Sequence, residues 1–385
     1  MNRLDRRDWL KGIGGAAAGV VVLRGGAGCG YFPAERGPAY APWSFPSSGS
    51  PPEMVAAEAA ILASNPHNTQ PWLLHVTSTA IDLHADLARN TGSVDGLMRE
   101  LHIGLGCALE NLVIAAKSSG RSADVVLLPD PATPTLVASV TLAVIELPPV
   151  ADPLFLAIPT RHTNRGRYAS ASAATALPAA VAALVTEPGV ELTLLVAEAD
   201  MATFRSGTNE ATVAFIADPE MSHDSNLWYR HTADEILQHR DGITLDASGN
   251  GAATRFFGKS LGRPSDATSN SYWLDATRGI QATASAYGIL SSPSSNGRDD
   301  QLRVGRAYQR IALWAISQGM AVQPLNQMAE MQDREETKGL DPRFTGVLGG
   351  LVGQSGRRAQ MLFRIGYPWD VALESPRRPL AWVRL

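Results

Sequence analysis

LHIGLGCALENLVIAAKSSG (101–120) and QLRVGRAYQRIALWAISQGM (301–320) carry the pattern that decides the fold. Their apolar spacing predicts two core helices, one starting near Leu101 and the other near Val304. Leu101, Leu105, Ala108, Leu109, Leu112 and Ala116 share one face of the first; Val304, Ala307, Ile311, Trp314 and Ala315 share one face of the second. The two also agree in register, since Gly106, Ala108, Leu112, Ala116, Ser118 and Gly120 stand opposite Gly305, Ala307, Ile311, Ala315, Ser317 and Gly319. The closing glycines suit left-handed C-caps. Any two buried helices share small and aliphatic residues, so the flanking order has to support a repeat. A helical pattern at Met54, Ala57 and Ile61 precedes a strand at Leu73–Val76. In the second half Leu177–Val185 precedes the alternating Val190, Leu192, Leu194 and Val196. A strand follows each core helix, at Val140–Val144 and through Met361, Phe363, Ile365 and Tyr367. The expected fold class is α+β, two related half-domains in one chain (53–150 and 151–385) packed as a pseudo-dimer. Trp228–Gly297 and Ala329–Gly356 have no counterpart in the first half and read as insertions, candidate lids.

With 45% hydrophobic and 18% charged residues in 385, the chain can bury a core. A formal charge of −4 leaves no electrostatic footprint for nucleic acid. Cys29 and Cys107 are the only cysteines, so packing rather than a disulfide framework must hold the fold. Arg6-Arg7-Asp8-Trp9-Leu10-Lys11, ahead of a short apolar run from Gly12 to Leu23, resembles a twin-arginine export signal occupying 1–30. That implies export machinery as a partner, a periplasmic or cell-envelope location, and a mature protein without a transmembrane span. Gly26-Ala27-Gly28-Cys29 resembles a lipoprotein cleavage site without the usual upstream aliphatic residue, leaving a lipid anchor at Cys29 as an alternative. Residues 31–52, rich in Pro, Ser and Gly, read as a linker.

Two polar segments interrupt the apolar patterning. Ser64-Asn65-Pro66-His67-Asn68-Thr69-Gln70-Pro71-Trp72 joins a helix to a strand. Its prolines stiffen a loop whose amides offer both donors and acceptors, the mixture a planar heteroaromatic ring requires. In Arg161-His162-Thr163-Asn164-Arg165-Gly166-Arg167-Tyr168, two guanidinium groups flank a hydroxyl, a reasonable clamp for phosphate. A third basic element, Arg377-Arg378, lies near the C-terminus. Taken singly, these would read as turns and a solvated tail.

Together they resemble the FMN-dependent nitroreductase family, and within it the Acg-type proteins with two nitroreductase-like halves in one polypeptide. The resemblance covers Glu53 to the C-terminus and implies one FMN as cofactor. It places Arg161, His162, Thr163 and Arg165 at the phosphate and adjacent ring edge, with Arg377 or Arg378 completing that site. It places Asn65, Pro66, Asn68 and Gln70 at the ribityl chain and ring, and Gln323-Pro324 in the loop beside the reactive nitrogen, where the family's usual acidic and glycine residues are absent. No counterparts of Asn68 and Gln70 lie between Leu184 and Val190, and none of Arg161–Arg165 precedes Glu53, so the second site looks lost. The implied activity is oxidoreduction of a small aromatic or quinone-like acceptor by a ping-pong mechanism, with a small-molecule donor. Non-catalytic binding or sequestering of flavin under a lid is the alternative. His223, His231 and His239, eight apart, do not form a helical metal site, and no metal is expected.

Overall fold

Both core helices form, and the elements around them repeat in one order. The computed structural model describes residues 37–144, 152–169, 175–251, 254–255, 258–259 and 263–385. Arg6, Arg7 and Cys29, with the whole expected export signal, lie outside the described residues. The first half runs α1 (Pro52–Ala60), β1 (Trp72–Val76), β2 (Ala80–Ala85), α2 (Arg99–Ser118), β3 (Asp124–Leu127) and β4 (Leu136–Thr141). After the short α3 (Pro153–Ala157) come α4 (Leu177–Ala182) and β5 (Glu191–Leu195). A long excursion then holds α5 (Glu198–Ala217), α6 (Pro219–Asn226), β6 (Tyr229–Arg230), α7 (Ala233–His239), β7 (Ile243–Thr244) and α8 (Asp266–Gly279). The chain continues as β8 (Ala286–Pro293), α9 (Arg298–Ser317) and β9 (Ala321–Pro324). A second excursion, α10 (Gln327–Lys338) and α11 (Arg343–Val352), precedes β10 (Arg357–Gly366) and the terminal α12 (Leu380–Val383).

Each half carries a four-stranded antiparallel sheet, in the orders β1-β2-β4-β3 and β5-β8-β10-β9. Matching β5, β8, β9 and β10 to β1, β2, β3 and β4 turns the second order into the first. The two halves therefore share topology as well as helix register.

Contacts between α2 and α9 follow the same symmetry. A Cβ built on Gly106 would lie 2.1 Å from the Leu302 carbonyl oxygen, and one on Gly305 would lie 2.0 Å from that of Ile103. Each glycine thus meets the residue three positions before its counterpart, as in an isologous interface. Further along, Gln309 Nε2 donates to Asn111 Oδ1 (2.8 Å), while the counterpart pair Glu110 and Arg310 forms an ion pair (2.7 Å). Asn111 Nδ2 reaches the end of α1 at Ala59 O (2.9 Å), and Arg310 Nη1 reaches past α4 to Leu184 O (2.9 Å).

The insertion boundaries differ from the sequence expectation. Ala286–Pro293 lies inside the expected Trp228–Gly297 insertion, yet it is the central strand β8, counterpart of β2. All but its last residue are buried, so both faces are covered and no alternation betrays the strand. The first insertion instead fills 196–285 and includes α5 and α6. The C-terminal segment leaves the second half and straps the first: Trp43 Nε1 donates to Ser375 O (2.8 Å), Leu385 N donates to Leu74 O (2.8 Å), and Arg384 bridges to Leu74 beside β1.

A methyl group at the glycine crossing would force the two helices apart. Gly106→Ala and Gly305→Ala are each expected to cost about 3 kcal/mol, at the upper end of overpacking penalties. Chemical denaturation measures this, and a loss below about 0.5 kcal/mol would contradict the close contact.

Candidate functional site

The α1–β1 connection is held in backbone conformations that side chains rarely adopt. His67, Asn68 and Gln70 have φ of 45°, 56° and 54°. Three non-glycine residues in the left-handed region within one loop store strain, which concentrates at functional positions. The loop is pinned from within, by Gln70 N donating to Asn65 Oδ1 (2.8 Å), and from below by α2: a Cβ on Gly104 would sit 3.0 Å from Pro66 Cδ and 3.2 Å from Asn65 Cβ.

A cavity of about 560 Å³ opens where this loop meets the second half. Of the residues anticipated from sequence, Asn65, Pro66, Thr163, Arg165, Gln323 and Pro324 line it. Gly104 and Cys107 of α2 and Tyr308 of α9 form its floor, and both insertions contribute to it. The first supplies Tyr229, His231, Ile243 and Trp273, and the second supplies Gln327 and Glu330. The first insertion is clamped to the amide loop, with His67 Nε2 and Ser225 Oγ sharing a hydrogen bond of 2.9 Å.

Asn68, Gln70, Arg161, His162, Arg377 and Arg378 do not line this cavity, and most of their polar atoms are engaged by the chain itself. Asn68 Nδ2 donates to Gly242 O (3.1 Å) and Pro376 O (2.9 Å), and Asn68 Oδ1 accepts from Arg377. Gln70 Nε2 donates to Arg240 O (2.8 Å), and its Oε1 accepts from Arg378 N (2.8 Å). These two amides thus tie the first insertion and the C-terminal strap to the strained loop. Arg161 Nη2 donates to Leu62 O (3.1 Å), and His162 packs edge-on against Trp43, ring centroids 4.4 Å apart. Arg161 Nε, His162 Nδ1 and Arg377 Nε are buried without a hydrogen-bond partner among the described residues.

Arg165 donates to Ala247 O (2.8 Å), and its neighbours include the neutral phenols of Tyr229, Tyr308 and Tyr168 and no carboxylate partner among the described residues. Desolvation holds its pKa, and that of Arg161, below the usual arginine range. Unpaired guanidinium groups in such surroundings are costly and fit an anionic guest. Burial, and then Arg165, lower His67 to a pKa of about 4, so it presents a neutral imidazole near neutral pH. Burial raises the Cys107 thiol and the Tyr308 phenol, leaving both uncharged.

Besides Arg165, two buried carboxyl groups line the cavity: Glu100 and Glu330, 5% and 7% exposed. Sequence reading missed both. Glu100 is one polar residue in a long apolar helix, and Glu330 belongs to a run that resembles a solvated helix yet is buried from Gln327 through Glu335.

The position related to this site by the internal symmetry is filled. In the glycine register Arg306 stands where Cys107 stands. It pairs with Glu110 (2.9 Å) and with Glu187 (3.1 Å) from the loop after α4, and Arg310 joins both carboxylates (2.7 and 3.2 Å).

No family model matches the sequence. Among curated proteins it is 27% identical, over 353 residues, to the "Putative NAD(P)H nitroreductase" of Mycobacterium tuberculosis in strains H37Rv and CDC 1551, covering 90% of this chain and 94% of each relative. The similarity to these relatives runs along nearly the whole chain. Solved structures that overlap it include a nitroreductase with bound FMN from Bacteroides fragilis, at 12% identity over 60% of this chain and 95% of that one, with a TM-score of 0.36. Another is the FMN-dependent nitroreductase NfnB from Mycobacterium smegmatis in complex with NADPH, at 18% identity over 58% and 92%, also with a TM-score of 0.36. Overlaps this loose add nothing to the duplicated topology seen directly.

Burial of a neutral His67 has a consequence for titration. The native state binds fewer protons than the unfolded chain, so the stability from this group is complete above about pH 6.5 and is lost as pH falls toward 4. NMR should find no His67 titration step between pH 5 and 8. A midpoint near 6.5 would place the ring in water instead.

Proposed function

We propose that the cavity holds one FMN and that the protein is an FMN-dependent oxidoreductase of the nitroreductase type. One observation carries the reading: Arg165, a guanidinium without a carboxylate partner among the described residues, shares a cavity with the strained Asn65–His67 loop. The volume, about 560 Å³, suits a planar cofactor with room for a small second molecule. The donor set also fits. Thr163 and Arg165, with Arg161 behind them, supply hydroxyl and guanidinium donors for a phosphate, and neutral walls at His67, Cys107 and Tyr308 suit an aromatic ring.

FMN, once bound, supplies the hydride chemistry that no side chain here can provide. The chain's contribution is to hold and shield it. Thr163 and Arg165 take the anionic end, and Asn65 and Pro66 close one side. Gln323, whose Oε1 accepts from Arg364 Nε (2.8 Å), and Pro324 fix the edge near α9. The insertions roof the cavity and exclude water. One roofed cavity must serve donor and acceptor in turn, which favours a ping-pong cycle with a small aromatic or quinone-like acceptor. The names of the M. tuberculosis relatives point to NAD(P)H as donor.

Roofing from two insertions also favours a second reading, that of a protein that sequesters flavin without turnover. Anaerobic NAD(P)H separates the two, because an oxidoreductase with this donor bleaches and a sequestering protein does not.

Stoichiometry follows from the filled symmetry position. Titration of apoprotein with FMN should saturate at one per chain, and saturation at two would overturn the assignment. Arg165→Gln should weaken binding roughly 10- to 100-fold, the worth of a charge-assisted hydrogen bond, and unchanged affinity would move the phosphate elsewhere.

We also propose, from Arg6-Arg7 and the apolar run that follows, that the protein is exported by the twin-arginine route to the periplasm or cell envelope. Arg6→Lys/Arg7→Lys should leave it in the cytoplasmic fraction on cell fractionation. Export undiminished in that variant would rule the route out.

A further inference from the structure

Behind the part of the cavity lined by Glu100 and Glu330 lie more carboxyl groups than cations. Asp95, Glu100, Glu330 and Asp333 are buried together, and the guanidinium groups among them are Arg99 and Arg358. Both cations are committed to Asp333: Arg99 Nε donates to its Oδ2 (2.6 Å) and Arg358 Nη2 to its Oδ1 (2.7 Å). Arg358 also pairs with the exposed Glu336 (2.7 Å), so it has little left to offer the interior. Asp95 accepts the backbone N–H groups of Glu100 (3.0 Å) and Leu101 (2.8 Å) at the start of α2. Glu100 and Glu330 remain. They are in hydrogen-bonding contact with each other, and their one nearby cation is Arg99, 3.4 Å from Glu100 Oε1.

Two adjacent buried carboxylates with so little compensation do not both ionise. The amide of Asn326 indicates where the proton lies. Its Oδ1 accepts from Leu362 N (2.8 Å), which turns its Nδ2 toward Glu100 Oε1 (2.8 Å) and makes that oxygen an acceptor. The proton therefore belongs to the hydrogen bond between Glu100 and Glu330, chiefly on Glu330. Burial and the neighbouring carboxylates raise both groups above the carboxylate range, Glu330 well above it.

A separate observation marks this part of the cavity as a ligand position. Gln327 is 4% exposed and Gln281 6%; both line the cavity, and the Oε1 of each is buried with no partner among the described residues. Buried acceptors without a partner beside a cavity wall are costly, and a small turn of either amide would offer its oxygen to a guest that brings donors.

We propose that Glu330, working with Glu100, is the proton donor of the cavity, delivering the shared proton to the substrate atom that is being reduced. The inference rests on the oxidoreductase reading above. For a quinone, FMN when bound would supply the hydride, two electrons and a proton, that one carbonyl oxygen takes up. At the other, the Glu330 O–H bond breaks as the substrate O–H bond forms, giving the hydroquinone. The carboxylate left on Glu330 is reprotonated from solvent when product leaves, and Asn326 holds Glu100 in place throughout.

Infrared absorption tests the proton directly, with no turnover required. At pH 7 in D2O the wild-type protein should show a protonated-carboxyl carbonyl band, diminished in Glu330→Gln and in Glu100→Gln. Absence of the band from wild type, or equal intensity in all three proteins, overturns the proposal. Reoxidation supplies the catalytic readout. Holoprotein reduced anaerobically with dithionite is mixed with benzoquinone, which needs protons, or with ferricyanide, a one-electron acceptor that needs none. In Glu330→Gln the quinone reaction should slow about 100-fold, as for loss of a general acid, with the ferricyanide rate unchanged. An unchanged quinone rate, or equal slowing with both oxidants, overturns the role. Failure of wild type to bind FMN would sink the functional reading instead, and the infrared result would still decide the shared proton.

Discussion

The α2–α9 crossing at Gly106 and Gly305 is the contact on which the rest depends. With no side chain between them, the backbones come close enough for the two helices to act as one floor shared by both halves. Side chains next to the crossing then project into two symmetry-related clefts, and their size decides the fate of each. Cys107 is small and uncharged, and its cleft stays open. Arg306, its counterpart, fills the other cleft with an ion-pair network through Glu110, Glu187 and Arg310. The two symmetry-related positions beside the helix crossing thus differ in what occupies them, a thiol at one and an ion-pair network at the other.

Charge burial is the second constraint. The guanidinium of Arg165 and the carboxyl groups of Glu100 and Glu330, all on the cavity wall, are each unfavourable without partners. The strap from 375 to 385 and the first insertion are fastened to the strained loop by Asn68 and Gln70. The loop's conformation, the roof and the C-terminus are therefore mechanically joined.

Much of this was legible in the sequence, for identifiable reasons. Helical periodicity and the glycine register revealed the repeat because a close crossing tolerates few residue types. Strand β8 stayed hidden because burial on both faces removes alternation, and α10 because its polar run is buried by partners from distant segments. The amide-rich loop and Arg161–Arg165 stood out as polar interruptions. Sequence alone could not tell which amides face the cavity and which clamp the chain, since Asn65 and Asn68 offer identical chemistry and differ only in what the fold brings to them. Nor could it reveal that Arg165 meets no carboxylate among the described residues, because its potential partners lie far away in sequence.

The most direct measurement is a crystal structure of protein reconstituted with FMN. The account predicts one isoalloxazine between Asn65–His67 and Gln323–Pro324, with its phosphate bonded to Arg165 and Thr163 and none at Arg306. Density for the flavin in any other groove, or a phosphate turned toward Glu100 and Glu330, would contradict it.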